Sequence, residues 1–295
     1  MALSKQEWLA LEAKAYKLRL DLLETTYQAG SGHIGGGSSV LDILTILYYK
    51  YMNIRIEDPK WEERDRCIVS KGHAGIAYAP LLVDLGWNDP EQLKTFNLTG
   101  SKMGIHLDSN KVVGVDASTG SLGHGLSIGV GTALAAQLQG KSFSTYVVLG
   151  DGELDEGSNW EAAMSASHFV QTGRMKGSSL ITIVDRNGAM IDGKTEDIMK
   201  LEPLADKFTA FGFQTLVIDG HSLPALSAAI DTALATDDKP TCIIADTVKA
   251  QGFGSKAGDF RWHYGAIDGA GYEQAKKDQT AYYEGRKAIA EKEGV

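Results

Sequence analysis

The chain has 295 residues, 43% of them apolar, and a formal net charge of -9 at neutral pH. That apolar share supplies the core of one α/β domain spanning residues 1–295, while the acidic balance and the lack of a long basic run exclude a nucleic-acid surface. No apolar run is long enough to cross a bilayer and no basic-then-apolar leader opens the sequence, so a cytoplasmic location is expected.

From Ser4 to about Ala29, the residues Leu9, Ala13, Tyr16, Leu20 and Leu23 recur at helical spacing between charges, which predicts a long amphipathic helix. Gly30-Ser-Gly-His-Ile-Gly-Gly-Gly37 is too flexible for a helix or strand interior, so Ser38 or Ser39 is expected to cap an apolar helix over residues 40–51. Such a loop either binds an anion or sugar at the helix start or simply connects two helices, and the residues alone favour the connector. Residues 66–70 predict a short strand holding Cys67, followed by Lys71-Gly-His73 and a helical stretch through Leu85. A histidine at a strand's carboxyl end stands where α/β sheets present ligands; the alternative is a turn with its imidazole in solvent. His106 falls in a loop without strong pattern. Ser118-Thr-Gly-Ser-Leu-Gly-His-Gly125 then precedes an Ala- and Gly-rich helix over residues 126–139, whose small side chains suit close packing.

The central unit opens with the apolar run Thr145-Tyr-Val-Val-Leu149, which breaks into Gly150-Asp-Gly152 and the acidic Glu153-Leu-Asp-Glu156. A helix over residues 159–170 leads to a second buried strand, Leu180-Ile-Thr-Ile-Val184, ending in Asp185-Arg-Asn-Gly188. A right-handed crossover makes the two strands parallel, so Asp151 and Asn187 emerge at one edge. Two oxygen donors at one spot suit a hard divalent cation that takes further ligands from a diphosphate, and the flanking glycines admit close backbone approach. Gly-Asp-Gly alone could equally be a strand-end turn; the second strand ending in Asn-Gly weighs against that. Glu156 also reads as a helix amino-terminal carboxylate favoured by the macrodipole. A helix over residues 201–211, a strand over 214–218, a helix over 223–235 and a strand over 241–245, holding Cys242, complete a doubly wound, mostly parallel sheet flanked by helices. Both cysteines read as buried thiols. Asp219-Gly-His221 is a strand-end turn whose histidine is assigned a structural role. A glycine-rich stretch, Gln251-Gly-Phe-Gly-Ser255, leads to Phe260-Arg-Trp-His-Tyr-Gly265 and a charged helical tail over residues 272–292.

Gly150-Asp-Gly152 with Asn187 at a distance resembles the thiamine diphosphate motif, and the surrounding sequence is similar to the amino-terminal half of transketolase. Four segments arrive in that family's order. The resemblance implies a thiamine diphosphate-binding fold and a divalent metal, Mg2+ or else Ca2+ or Mn2+, held by Asp151, Asn187 and the backbone carbonyl of Ala189. It implies that Gly150, Gly152, His73, Gly120, Leu122 and His263 serve the cofactor. Glu156 would do so from near a subunit contact, and Glu161 reads as a structural or interface carboxylate. His33, His106 and His263 would polarise carbonyls and move hydroxyl protons, work suited to imidazole because its charge changes near neutral pH. His168 lies away from the family positions. Three departures stand out: a longer stretch before Asn187, expected as a surface loop over residues 171–177; His124 where transketolases commonly carry glutamine, given no role; and Tyr264 inserted between histidine and glycine.

The implied reaction transfers a two-carbon ketol unit from a ketose or its phosphate to an aldose or its phosphate. In that family the glutamate that activates the pyrimidine comes from a second α/β domain. The resemblance therefore implies a separate carboxy-terminal transketolase subunit, in a two-plus-two heterotetramer. The alternatives are a 1-deoxyxylulose-5-phosphate synthase-like chain, the α subunit of a 2-oxo acid dehydrogenase first component, and a non-catalytic cofactor-binding partner. The enzyme alternatives are not expected to combine Ser-Gly-His, Gly-His, Thr-Gly-Ser-Leu-Gly and Trp-His.

Overall fold

Short runs of Val, Ile, Leu and Thr, each stopped by Gly, Asp or Ser, build a five-stranded parallel sheet in the order β1-β2-β3-β5-β4. The strands are β1 Arg66–Val69, β2 Thr145–Gly150, β3 Leu180–Arg186, β4 Gln214–Asp219 and β5 Thr241–Asp246. The computed structural model describes residues 3–294; Met1, Ala2 and Val295, the ends of the expected domain, lie outside them. Register places Val147 between Ile68 and Thr182, and Ile183 beside Ile243. Because all pairings are parallel, every carboxyl end opens on one edge.

The helices are α1 Lys5–Ala29, α2 Ile34–Ile46, α3 Gly75–Asp84, α4 Gly125–Leu138, α5 Gly157–Gln171, α6 Thr195–Ile198, α7 Leu204–Ala210, α8 Leu223–Leu234 and α9 Gly269–Glu293. They cover both faces of the sheet. Alternate residues of β2 divide between two cores: Tyr146 and Val148 join side chains of α1, α2, α3 and α8, while Val147 and Leu149 join α4, α5 and α7. This is the arrangement expected of a parallel sheet, whose strands must be apolar on both faces. The first helix starts on a reciprocal cap between Ser4 and Glu7 and stops at Gly30, whose φ of 69° is left-handed. Cys67 and Cys242 are buried free thiols. No helix among the described residues is long and apolar enough to cross a membrane.

Two expected boundaries are corrected. The glycine run is not a loop: α2 begins at Ile34, so Gly35, Gly36 and Gly37 are helical and neither Ser38 nor Ser39 is a cap. Tertiary packing overrides glycine's poor helix propensity, because α2 is buried on all sides. A Cβ at Gly35 would lie 2.6 Å from the Trp262 carbonyl oxygen, and one at Gly37 2.7 Å from Ile76. The helix ends in a wider turn over Leu47–Tyr51. The second correction lies after β3, where the expected helix starts at Leu204 rather than 201 and a short helix, α6, precedes it. Of the segment expected as a surface loop over residues 171–177, Gln171 closes α5, while Met175 and Gly177 are buried.

A Cβ at Gly75, the first residue of α3, would lie 2.2 Å from the Ile105 carbonyl oxygen, a backbone atom that cannot swing aside. Gly75→Ala is therefore expected to cost about 1–3 kcal/mol, read as a lower urea midpoint. An unchanged midpoint would show that α3 and the loop holding His106 do not approach this closely.

Candidate active site

The carboxyl ends of β1, β2 and β3, with the amino-terminal end of α2 and the segments following β5, enclose a cleft of about 300 Å3. Its floor is built around Asp151, which is 2% exposed. Asp151 Oδ1 accepts the Gly152 N–H at 2.8 Å; Oδ2 accepts the Gly188 N–H at 2.6 Å and Arg186 Nη1 at 3.1 Å. Gly188 can point its amide there because its φ is 71°, a left-handed conformation that glycine adopts without strain. Burial and neighbouring Asp185 raise the Asp151 pKa, against the opposing hydrogen bonds and Arg186. Asn187 Oδ1 accepts the Ala189 N–H at 3.2 Å. Among the described residues, no group of three or more His, Cys, Asp or Glu could hold a metal by itself. A donor set of one carboxylate, one amide oxygen and one carbonyl instead leaves positions for ligand oxygens.

Two lysines stand over this floor. Lys71 is buried and donates to the Gly36 carbonyl at 3.1 Å and to Asp185. Lys249 donates to the Ala189 carbonyl at 2.8 Å, the Met190 carbonyl at 3.1 Å and His263 Nδ1 at 2.9 Å. Burial and the nearby Lys71 lower Lys249 to about 8. Glu153, raised by burial, accepts from Ser70 and from the amides of Gly123 at 2.9 Å and Gly150 at 3.0 Å, which clamps the loop before α4 to the end of β2.

The imidazoles of His33, His73 and His263 form a triangle, with ring centroids 5.2, 5.2 and 5.3 Å apart. Burial, His106 and the two lysines lower His33 to about 4; burial, Lys249, His33 and Lys71 lower His263 to about 3. His73 is pushed down in the same way, by burial and then Lys71. Neutral rings can both accept and donate protons. The Nδ1 of His33 is buried without a partner, as a group awaiting a polar ligand would be. His106 reaches the cleft from its loop beneath Gly120, where a Cβ would meet its ring at 3.0 Å. Burial lowers its pKa too.

The cleft brings together His33, His73, His106, His263, Gly120, Leu122, Gly150, Asp151, Gly152, Asn187 and Ala189. Glu156 is exposed beside Gly123, at the start of α5, and does not line the cleft of this chain; the buried carboxylate there is Glu153, three positions earlier. Glu161 and His168 are exposed on α5. His124 lies in an adjoining hollow with Ser118 and Ser127. The inserted Tyr264 packs on His33, centroids 4.7 Å apart. Sequence reasoning missed Lys71, Asp185, Lys249 and the apolar lip of Met190, Ile191 and Ile198. A charged residue at the end of a buried strand was the available signal for Asp185, and Lys249, three residues after β5, carried a weaker one.

A sequence profile described as the thiamine diphosphate binding domain of transketolase matches residues 12–287. The 6-deoxy-6-sulfo-D-fructose transketolase subunit SqwG of Clostridium sp. (strain MSTE9) is 39% identical over 258 residues, which cover 88% of this chain and 92% of that one. An apulose-4-phosphate transketolase subunit from Phocaeicola vulgatus is 38% identical over 268 residues, covering 91% and 93%. The crystal structure of transketolase from Campylobacter jejuni superposes with a TM-score of 0.84 at 29% identity, over 95% of this chain but 46% of its own. Fold, cleft and profile together define a thiamine diphosphate-binding α/β domain. The chain belongs to the transketolase family, thiamine diphosphate-dependent transferases.

With His33 lowered to about 4 and His263 to about 3 from an ordinary value of 6.5, the unfolded chain binds more protons than the folded one between those values. The histidine contribution to stability without ligand is therefore expected to be flat above pH 6.5 and to fall as pH drops toward 4. After allowance for solvent screening, each histidine contributes on the order of 1 kcal/mol to that fall. Urea melts across this range check it, and the pair of substitutions His33→Asn and His263→Asn should reduce the slope, leaving the part due to His73.

Proposed function

We propose that this chain is the amino-terminal, diphosphate-binding subunit of a split transketolase. The enzyme would move a two-carbon ketol unit from a ketose or ketose phosphate to an aldose or aldose phosphate. The observation that carries this reading is the triangle of uncharged histidines over the Asp151–Asn187 edge. The two relatives named as subunits match this chain in length, whereas it spans only 46% of the Campylobacter transketolase. The remainder is assigned to a partner chain, a carboxy-terminal subunit supplying the pyrimidine-activating glutamate, in a cytoplasmic two-plus-two heterotetramer. The present chain is read as one domain.

The residues fit a metal-held diphosphate. The Asp151 and Asn187 side chains and the Ala189 carbonyl would hold Mg2+, Ca2+ or Mn2+, while Lys71 and Lys249 offset phosphate charge. Thiamine diphosphate, when bound, supplies the nucleophilic carbon that opens a carbon–carbon bond beside a carbonyl. The protein's share is orientation and proton movement. Neutral His33 can donate to a substrate carbonyl or take a hydroxyl proton, while the Lys249 hydrogen bond to His263 Nδ1 puts that ring's proton on Nε2, where it can donate to a substrate carbonyl. The apolar lip of Met190, Ile191 and Ile198 limits water at one side of the cleft.

Calorimetric titration with thiamine diphosphate and Mg2+ tests the site. Asp151→Ala is expected to abolish binding with the fold intact, and Asn187→Ala to weaken it about tenfold; unchanged affinity in both would overturn the assignment. Ketol transfer should be negligible for the purified chain and appear when the copurifying partner is added. In that assembly His33→Ala or His263→Ala should cost about 10² to 10⁴ in rate, and the exposed His168→Ala almost nothing. Full activity from this chain alone would refute the split.

A further inference from the structure

A buried cluster outside the cleft converges on Asp42 of α2, which is fully inaccessible to solvent. Arg19 of α1 grips it with two hydrogen bonds, at 3.1 and 2.7 Å, and Arg286 of α9 adds a third at 3.2 Å. Its third partner, making the fourth hydrogen bond, is His221, in the turn after β4, whose Nδ1 lies 2.8 Å from Asp42 Oδ2. The other ring nitrogen, Nε2, accepts the backbone N–H of Val248 at 2.9 Å. These contacts dictate the tautomer. A carboxylate flanked by two guanidinium groups is an acceptor, so Nδ1 must carry the proton; a peptide N–H is a donor, so Nε2 must be bare.

Val248 immediately precedes Lys249, the lysine that bridges the Ala189 carbonyl and His263. The segment around it needs holding. Ala250 has a φ of 56°, a left-handed conformation uncommon for a residue with a side chain, and it is completely buried. Backbone partners secure Thr247 through the Arg186 carbonyl at 3.0 Å and Ala250 through the Gly35 carbonyl at 3.1 Å. Between them, the Val248 amide is held by a side chain, that of His221.

We propose that His221 is a positioning residue for the cofactor site: fixed in its Nδ1–H form by Asp42, it anchors the Val248 amide and thereby sets Lys249 between the Ala189 carbonyl and His263. The inference rests on the reading of the cleft as a metal and diphosphate site. It assigns the Asp219-Gly-His221 turn a role in binding although His221 does not line the cleft. It also makes α1 and α9, through Arg19 and Arg286, part of the support of that site.

The test uses the full chain. His221→Leu removes both hydrogen bonds, whereas His221→Gln keeps one donor and one acceptor on a side chain of similar reach. Titration with thiamine diphosphate and Mg2+ is expected to show His221→Leu binding at least about tenfold more weakly, with most of the loss recovered in His221→Gln. Val170→Ala, a buried position on α5 remote from the cleft, serves as the stability control and should keep wild-type affinity however far its melting temperature falls. Nitrogen-15 chemical shifts of His221 in the wild-type chain should report the Nδ1–H tautomer at neutral pH, a readout that needs neither cofactor nor variant. Wild-type affinity in His221→Leu, an equal loss in Val170→Ala, or an Nε2–H signature would each overturn the proposal. Failure of the wild-type chain to bind thiamine diphosphate would instead sink the functional reading itself.

Discussion

The ion pair between Lys71 and Asp185 is the contact on which the carboxyl edge of the sheet depends. Its two side chains are 1% and 0% exposed, and they join the end of β1 to the end of β3. Asp185 also accepts from Ser39 of α2 at 2.6 Å and from Thr247 after β5, while Lys71 reaches back to the Gly36 carbonyl at 3.1 Å. Elements far apart in sequence thus meet on one carboxylate. Burial alone would raise Asp185, but Lys71 and the two hydroxyls more than compensate and hold its pKa below the ordinary value. A pair of this kind adds little net stability, yet losing one partner leaves an uncompensated buried charge at a cost of about 3–5 kcal/mol. Its effect is to specify one arrangement of α2, β1 and β3, and α2 carries His33 at its amino terminus.

The same edge gathers cations within an acidic molecule. The chain is acidic by nine charges, and its cleft sets Lys71 and Lys249 beside the carboxyl groups of Asp151, Glu153 and Asp192, with histidines held neutral. Each cation lowers its neighbours: Lys71 depresses Lys249, and both depress the imidazoles. The cleft's cationic groups are therefore two lysines set close together rather than a stripe along a face, which suits a compact phosphorylated ligand and not a polyanion.

Much of this was legible in the sequence because strands and motifs coincide. Apolar runs ending in Gly150-Asp-Gly152 and Asn187-Gly188 gave the crossover unit, and parallel pairing necessarily places those ends together. Glycine misled at α2, where a local propensity argument predicted a loop; the close approach of Trp262 and Ile76, distant in sequence, decides for a helix. The resemblance puts Glu156 near a subunit contact, and in the folded chain a short helical turn over Gly152–Asp155 aims Glu153 inward, a role no motif marked, while Glu156 faces outward. Lys249 had no motif of its own. Its place just after a strand was a weak signal, and its partners become visible when β5 is seen to deliver it opposite the loop after β3.

Geometry at the Ala189 carbonyl bears on how cation and cofactor would enter the site. That oxygen has two lone pairs, and Lys249 takes one of them at 2.8 Å. Arg186 already pairs with Asp151 at 3.1 Å, although Glu196 at 2.9 Å and Glu202 at 3.0 Å share its charge. On the proposed reading, a divalent cation arriving alone would stand close to both of these like charges, and burial would disfavour the ionised carboxylate meant to receive it. A diphosphate arriving alone would find Lys71 and Lys249, but also the buried Asp151 carboxylate beneath it. Each ligand removes the other's electrostatic cost. By linkage the gain is reciprocal, so whatever affinity the diphosphate confers on the cation, the cation confers equally on the diphosphate. Metal and cofactor would then bind as one unit on that reading, and the lysine that shares the carbonyl would make that mutual dependence a property of this chain's own residues.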